Sequence, residues 1–257
     1  MQGCRTESFT QRHRIRKLIE MIGQSQRTGT QPRALPRPSA LLFDLDGTLI
    51  DTAPDMLAAL ACLRDELGLR PITVDRLRSR VSRGAIALME AGLPELGAYT
   101  VPSLRTRYLE LYQQSIAVHS RLFPGLDRLL ACASDAGVQW GIVTNKPVEL
   151  SRLLLAALGL KPDVLLGGDS LPEKKPHPLP VLTALRTLGA DATTAWMIGD
   201  DPRDIEAGRA AGCCTIACAY GYSDDVVPAD QWGSDLTIAH SQQLEGLLER
   251  ALNLPRV

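Results

Sequence analysis

Two aspartates spaced two apart, Asp44 and Asp46, close an apolar run and are followed at once by Gly47 and Thr48. Along a strand, residues i and i+2 point to the same side. Both carboxylates are therefore expected to emerge together where a buried strand ends. Gly47 permits the tight positive-φ turn that must follow, and Thr48 adds a hydroxyl and a backbone N–H at the rim. The arrangement offers one carboxylate to attack, a second to move protons, and amides to hold an anion.

Other polar residues gather at further strand ends. Trp140–Val143 leads into Thr144, Asn145, Lys146 and Pro147, and Trp196–Gly199 leads into Asp200 and Asp201, with Asp204 one helical turn on. Between them Lys174 and Lys175 stand on a loop stiffened by Pro172, Pro176 and Pro178. Acids from two strands, without paired His or Cys nearby, suit a hard cation held by oxygen, Mg²⁺ above all. A Thr and a Lys beside it suit phosphate. Bringing Asp44 and Asp200 together unpaired costs several kcal/mol in a partly buried site, and a bound divalent cation offsets that repulsion.

The elements that would position these groups alternate. Strands are expected at 40–44, 138–144, 164–166, 195–198 and 213–217. Helices are expected at 54–67, 126–136, 147–158, 178–188 and 204–211. Such alternation predicts an α/β fold with a parallel, Rossmann-like sheet covered on both faces. Ligands bind beyond the carboxyl ends of such strands. Residues 74–81, 85–91 and 103–118 show helical spacing without a strong strand, which predicts a small helical insertion at 55–121 within a core of 39–54 and 122–257.

Residues 1–38 differ from the rest. Residues 1–37 carry eight Lys and Arg against Glu7 and Glu20, a net +6, which leaves about −7 elsewhere in a chain of net charge −1. The segment reads as a disordered leader or a start placed too early, with a short basic helix at 14–22 and an organelle-targeting peptide as the sharper alternative. The six cysteines are irregularly spaced and form neither a disulfide framework nor a zinc pattern. No apolar run approaches membrane-spanning length. A cytoplasmic protein is expected, with a small-molecule partner and no nucleic acid, membrane or obligate protein partner.

With these residues in view, the chain resembles the haloacid dehalogenase superfamily of aspartate-nucleophile phosphatases. Four motifs stand in order: DLDGT at 44–48, the Thr of VTN at 144, the Lys of KP at 175, and GDD…D through 200 to 204. The resemblance covers residues ~40–250. It implies that Asp44 is the nucleophile and Asp46 the general acid and base. It implies Mg²⁺ held by Asp44, Asp200 and the Asp46 carbonyl, and phosphate held by Thr144, Lys175 and the amides after Asp46. Asp204 takes an outer role at the metal, with Asp201 as the alternative for that role. Lys174 is left to solvent, and His177 reads as a loop residue. Asn145 either contacts phosphate or caps the next helix.

The helical insertion resembles the family's cap, with Ser82, Arg83 and Gly84 as a loop facing the site. Arg83 either pairs with a substrate carboxylate or lies on the surface. Within the family the likeness runs to phosphoglycolate phosphatases through DTAPD, FPGLDRLL and WGIVTNKP. It runs more narrowly to N-acetylmuramic acid 6-phosphate phosphatases through AVHSRLF and GYSDDVVPADQWGSD. The rival expectations are a phosphosugar mutase of the same fold, a non-catalytic phosphometabolite-binding module, and an interaction protein anchored by its basic leader.

Overall fold

The apolar run before Asp44 forms β1 (Ala40–Phe43), and all four of its residues are buried. A strand covered on both faces reads as continuous apolar sequence rather than alternation. In the computed structural model, which describes residues 35–97, 100–222 and 227–253, β1 lies inside a six-stranded sheet. The other members are β4 (Gln139–Val143), β5 (Val164–Leu166), β6 (Trp196–Gly199), β7 (Cys214–Cys218) and β8 (Leu236–Ile238). Their order is β5-β4-β1-β6-β7-β8, and every pairing is parallel. The chain runs outward from β1 through β4 to β5, then returns to β6 on the other flank. That reversal opens a crevice at the carboxyl end of β1, the expected ligand position in an open α/β sheet.

Between β1 and β4 the chain leaves and re-enters the core. β2 (Ile50–Asp51) and β3 (Arg121–Leu122) pair antiparallel, so the outgoing and returning segments lie side by side. The chain between them holds α1 (Ala53–Glu66), α2 (Gly84–Gly92) and α3 (Arg105–Gln114), and α1 packs against α3. Helices α4 (Leu126–Asp135), α5 (Val148–Ala157), α6 (Leu179–Leu188), α7 (Pro202–Ala210) and α8 (Gln243–Ala251) complete the fold.

Asp55 ties the outgoing helix to the returning segment. Its carboxylate is buried and accepts the His119 N–H at 2.8 Å, the Ser120 N–H at 2.9 Å and the Ser120 hydroxyl at 2.6 Å. Asp55→Ala strands three donors and is expected to cost about 3 kcal/mol of stability. Urea unfolding checks this, and an unchanged midpoint would remove Asp55 from the fold's anchors.

The structure departs from the sequence reading in places. Residues 74–83 wind as a 3₁₀ helix rather than an α-helix, and the helix expected over 103–118 is a 3₁₀ turn at Val101–Leu104 followed by α3. The β2–β3 pair was not expected, since two-residue strands carry no readable period. Neither β8 nor α8 was expected. Leu35 packs against the core, and the Pro36 carbonyl accepts from the Trp196 indole at 3.1 Å. The described core contacts thus include residues a few positions before 39. The basic helix expected at 14–22 lies outside the described residues, as does most of the leader.

Candidate active site

Asp44 stands one residue past β1, and its N–H continues the sheet by donating to the Ile198 carbonyl at 2.9 Å. Asp200 follows β6 directly, and Asp204 sits in the first turn of α7. Asp44, Asp200 and Asp204 are all buried, and each turns a carboxylate oxygen to within 4.8 Å of the other two. Lys175 is buried among them. Its ammonium donates to Asp44 Oδ1 at 2.8 Å and pairs with Asp204 Oδ1 at 2.6 Å.

Charge bears on what this cluster could hold. Burial, then the neighbouring Asp44, push the Asp200 carboxyl up to about 7, against hydrogen bonds from the Tyr222 N–H, Thr48 and Ser82. Burial also pushes Asp204 well up, although Lys175 opposes it. Burial alone would lower the Lys175 ammonium, but Asp204 and Asp44 outweigh it and hold it raised. One cation among three acids leaves a deficit of positive charge. An all-oxygen donor set with that deficit fits a hard divalent cation such as Mg²⁺.

A pH dependence follows. Asp200 binds its proton more tightly folded than unfolded, so its protonation stabilises the metal-free fold. That contribution is fully present below the ordinary carboxylate range and is lost as pH rises to about 7. A cation that replaces the proton should therefore raise Tm more at about pH 8 than at about pH 6. Thermal melts with and without Mg²⁺ test it, and an equal gain at both would disprove it.

Thr48 and Gly47 serve the acids rather than the rim. The Thr48 hydroxyl, fully buried, donates to Asp200 Oδ1 at 2.7 Å rather than standing free at the rim. The Gly47 N–H is taken by the Ile50 carbonyl at 3.0 Å, so that amide is not offered to an anion. Gly47 sits at φ +88°, and a Cβ there would collide with Asp200 Oδ2. Gly221 approaches Asp200 from another segment just as closely, and the next residue's N–H donates to Asp200 Oδ2 at 2.8 Å.

The Asp46 carboxylate is not one of the clustered three, though it lines the same cavity as Asp44. It is gripped by the Thr52 hydroxyl at 2.6 Å and by the Lys146 ammonium at 3.0 and 3.2 Å. Thr144 is buried, and its hydroxyl accepts the Lys146 N–H at 3.2 Å. Asn145 does not cap the next helix, and it lies on the cavity wall. Its amide donates to the Lys175 carbonyl at 2.9 Å and accepts the Lys175 N–H at 3.1 Å, clamping the lysine's loop. Lys174 is exposed, as is His177.

Asp201 and Asp204 also separate. Asp201 caps α7 by accepting the Arg203 N–H at 2.9 Å, and its carboxylate pairs with the Arg203 guanidinium at 2.7 and 2.8 Å. Burial would raise Asp201, but Arg203 holds it below the usual range. Asp204 alone of the two belongs to the buried trio.

A cavity of about 270 Å³ opens above these residues. Asp44, Asp46, Thr144 and Lys175 form part of its wall, and Ser82, Arg83 and Gly84 face them from the helical insertion. The Ser82 hydroxyl donates to Asp200 Oδ2 at 2.9 Å, while its carbonyl accepts from Arg203 at 2.6 Å. Arg78 adds a third tie, to Asp51 at 2.8 Å, with its guanidinium 4.8 Å from the Tyr222 ring centre. Sequence reasoning missed Lys146, Arg203 and Tyr222. Lys146 stood two residues past Thr144 at a strand end, a signal available but unused. Tyr222 gave no such signal.

Residues 41–218 match the family model described as haloacid dehalogenase-like hydrolase. A phosphoglycolate phosphatase of Xanthomonas campestris pv. campestris is 42% identical over 212 residues, covering 80% of this chain and 95% of that protein. An N-acetylmuramic acid 6-phosphate phosphatase of Pseudomonas aeruginosa is 42% identical over 219 residues, covering 84% and 97%. Among solved structures, one described as a predicted phosphoglycolate phosphatase from Haemophilus somnus superposes with a TM-score of 0.73 at 25% identity, covering 82% and 98%. The chain belongs to the haloacid dehalogenase-like hydrolases, and among them it stands with the phosphatases.

Proposed function

We propose that this phosphatase is a Mg²⁺-dependent phosphomonoester hydrolase of the cytoplasm, acting on a small carboxylate-bearing metabolite through an aspartyl-phosphate on Asp44. The preferred substrate is N-acetylmuramic acid 6-phosphate, with 2-phosphoglycolate second. The observation that carries the reading is the buried trio of Asp44, Asp200 and Asp204 with Lys175 at its centre, beside a cavity walled in part by the helical insertion.

In this reading residues 55–121 are a cap over a core of 39–54 and 122–257. Lys175 orients one oxygen of Asp44, and the other attacks phosphorus as the bond to the leaving oxygen breaks. Asp46 gives that oxygen a proton, then takes one from the water that cleaves the phosphoryl group from Asp44. Thr144 and Lys175 hold the phosphoryl oxygens. Asp44, Asp200, Asp204 and the Asp46 carbonyl would hold Mg²⁺, which when bound neutralises charge on the phosphoryl group. Arg83, exposed on the cavity wall, would pair with a carboxylate, which both candidate substrates carry.

The test is phosphate release from the two substrates side by side, with Mg²⁺ and with EDTA. Mg²⁺-dependent turnover favouring the amino sugar supports the preferred assignment, and preference for phosphoglycolate reverses it. Release from neither unless a sugar bisphosphate is added would replace the reading with a phosphosugar mutase.

A further inference from the structure

Lys146 is a buried lysine to which the proposed reaction assigns no role. Its ammonium reaches both oxygens of Asp46, at 3.0 and 3.2 Å, and lies 4.4 Å from the centre of the Tyr112 ring on α3. Thr52, just ahead of α1, donates to Asp46 Oδ1 from another direction at 2.6 Å. The Met56 sulfur stands 3.9 Å from the ammonium and 3.8 Å from the Thr52 hydroxyl, filling the space between them. The Asp46 carboxylate is thus held from two directions, and the lysine behind it rests on an aromatic face supplied by the helical insertion.

A carboxylate that exchanges a proton with a leaving oxygen must be held at hydrogen-bond reach of it. A side chain left to rotate loses that position. We infer that Lys146 is a positioning residue, which with Thr52 fixes the Asp46 carboxylate for proton transfer to the leaving group and draws its own support from Tyr112. The inference rests on the hydrolase reading above, with Asp46 as the proton donor.

The leaving group supplies the test. Departure of an alkyl oxygen needs a proton, whereas departure of p-nitrophenolate does not, and kcat/KM reports the steps up to that departure. Wild type, Lys146→Met, Lys146→Arg and Thr52→Val are compared on an alkyl phosphate and on p-nitrophenyl phosphate, with melts to confirm folding. Lys146→Met is expected to lose about 10²-fold in kcat/KM on the alkyl ester and less than about threefold on the aryl ester. Thr52→Val should show the same asymmetry, and Lys146→Arg should recover part of the alkyl rate. An equal loss on both esters, or no loss on the alkyl ester, overturns the inference. Should Lys146→Met fail to fold, Thr52→Val decides alone. A wild-type protein that hydrolyses neither ester refutes the hydrolase reading instead.

Discussion

Asp44→Asn is expected to abolish turnover, lowering phosphate release by about 10⁵-fold, while leaving the fold at least as stable as wild type. Asparagine keeps the shape of the side chain and an oxygen that can accept from Lys175, whose ammonium lies 2.8 Å from Asp44 Oδ1. It removes the nucleophile and, with it, a negative charge that raises the Asp200 carboxyl. Repulsion inside the acidic trio therefore falls as chemistry stops. Rapid acid quench followed by intact-mass measurement should find a phosphoryl adduct on the wild type and none on the variant. Turnover within about tenfold of wild type would rule out Asp44 as the attacking group.

Lys175→Met should have the opposite character, losing stability and activity together. Lys175 is the cation between Asp44 and Asp204, and all three are buried. Removing one partner of a buried pair leaves uncompensated charge, at a cost of about 3–5 kcal/mol. The variant can recover part of this by protonating its acids. The deficit should therefore shrink as pH falls and grow as pH rises, because the acids that Lys175 compensates are Asp204 and Asp44. Mg²⁺ should restore stability to the variant more than it adds to the wild type. Urea unfolding at two pH values, with and without Mg²⁺, measures all of this. A loss independent of both would mean that Lys175 acts through packing alone.

Much of this fold was legible in the sequence because the sheet is parallel and buried. Apolar runs such as 40–43 and 196–199 have no other easy reading when a Gly-terminated helix follows each. The acids were legible because they stand next to those runs. What was not legible depended on contacts between distant segments. Nothing local to Thr48 says that its hydroxyl turns inward to Asp200, 152 residues away. Asn145 looked like a ligand or a cap, and only the folded loop shows its amide matched to the Lys175 backbone. Lys146 was visible at its strand end, but its role was not. A lone lysine at a strand end reads as solvated, and its burial requires Asp46 and Tyr112 to arrive from two other elements.

The two glycines against Asp200 bear on how such a protein can diverge. At positions 47 and 221 even a methyl group would occupy space already held by the carboxylate. The neighbourhood of the acids is thus closed to gradual variation, because the smallest step away from glycine already displaces a functional group. The opposite wall of the cavity, with Arg83, Ile86, Arg105 and Leu109, is built of side chains that can be exchanged one at a time. In a saturation library the first two positions should return almost no active clones, whereas the cavity wall should return active clones whose substrate preference has moved. The fold thereby separates an inheritance that is nearly fixed, the chemistry, from one that is free to drift, the choice of molecule.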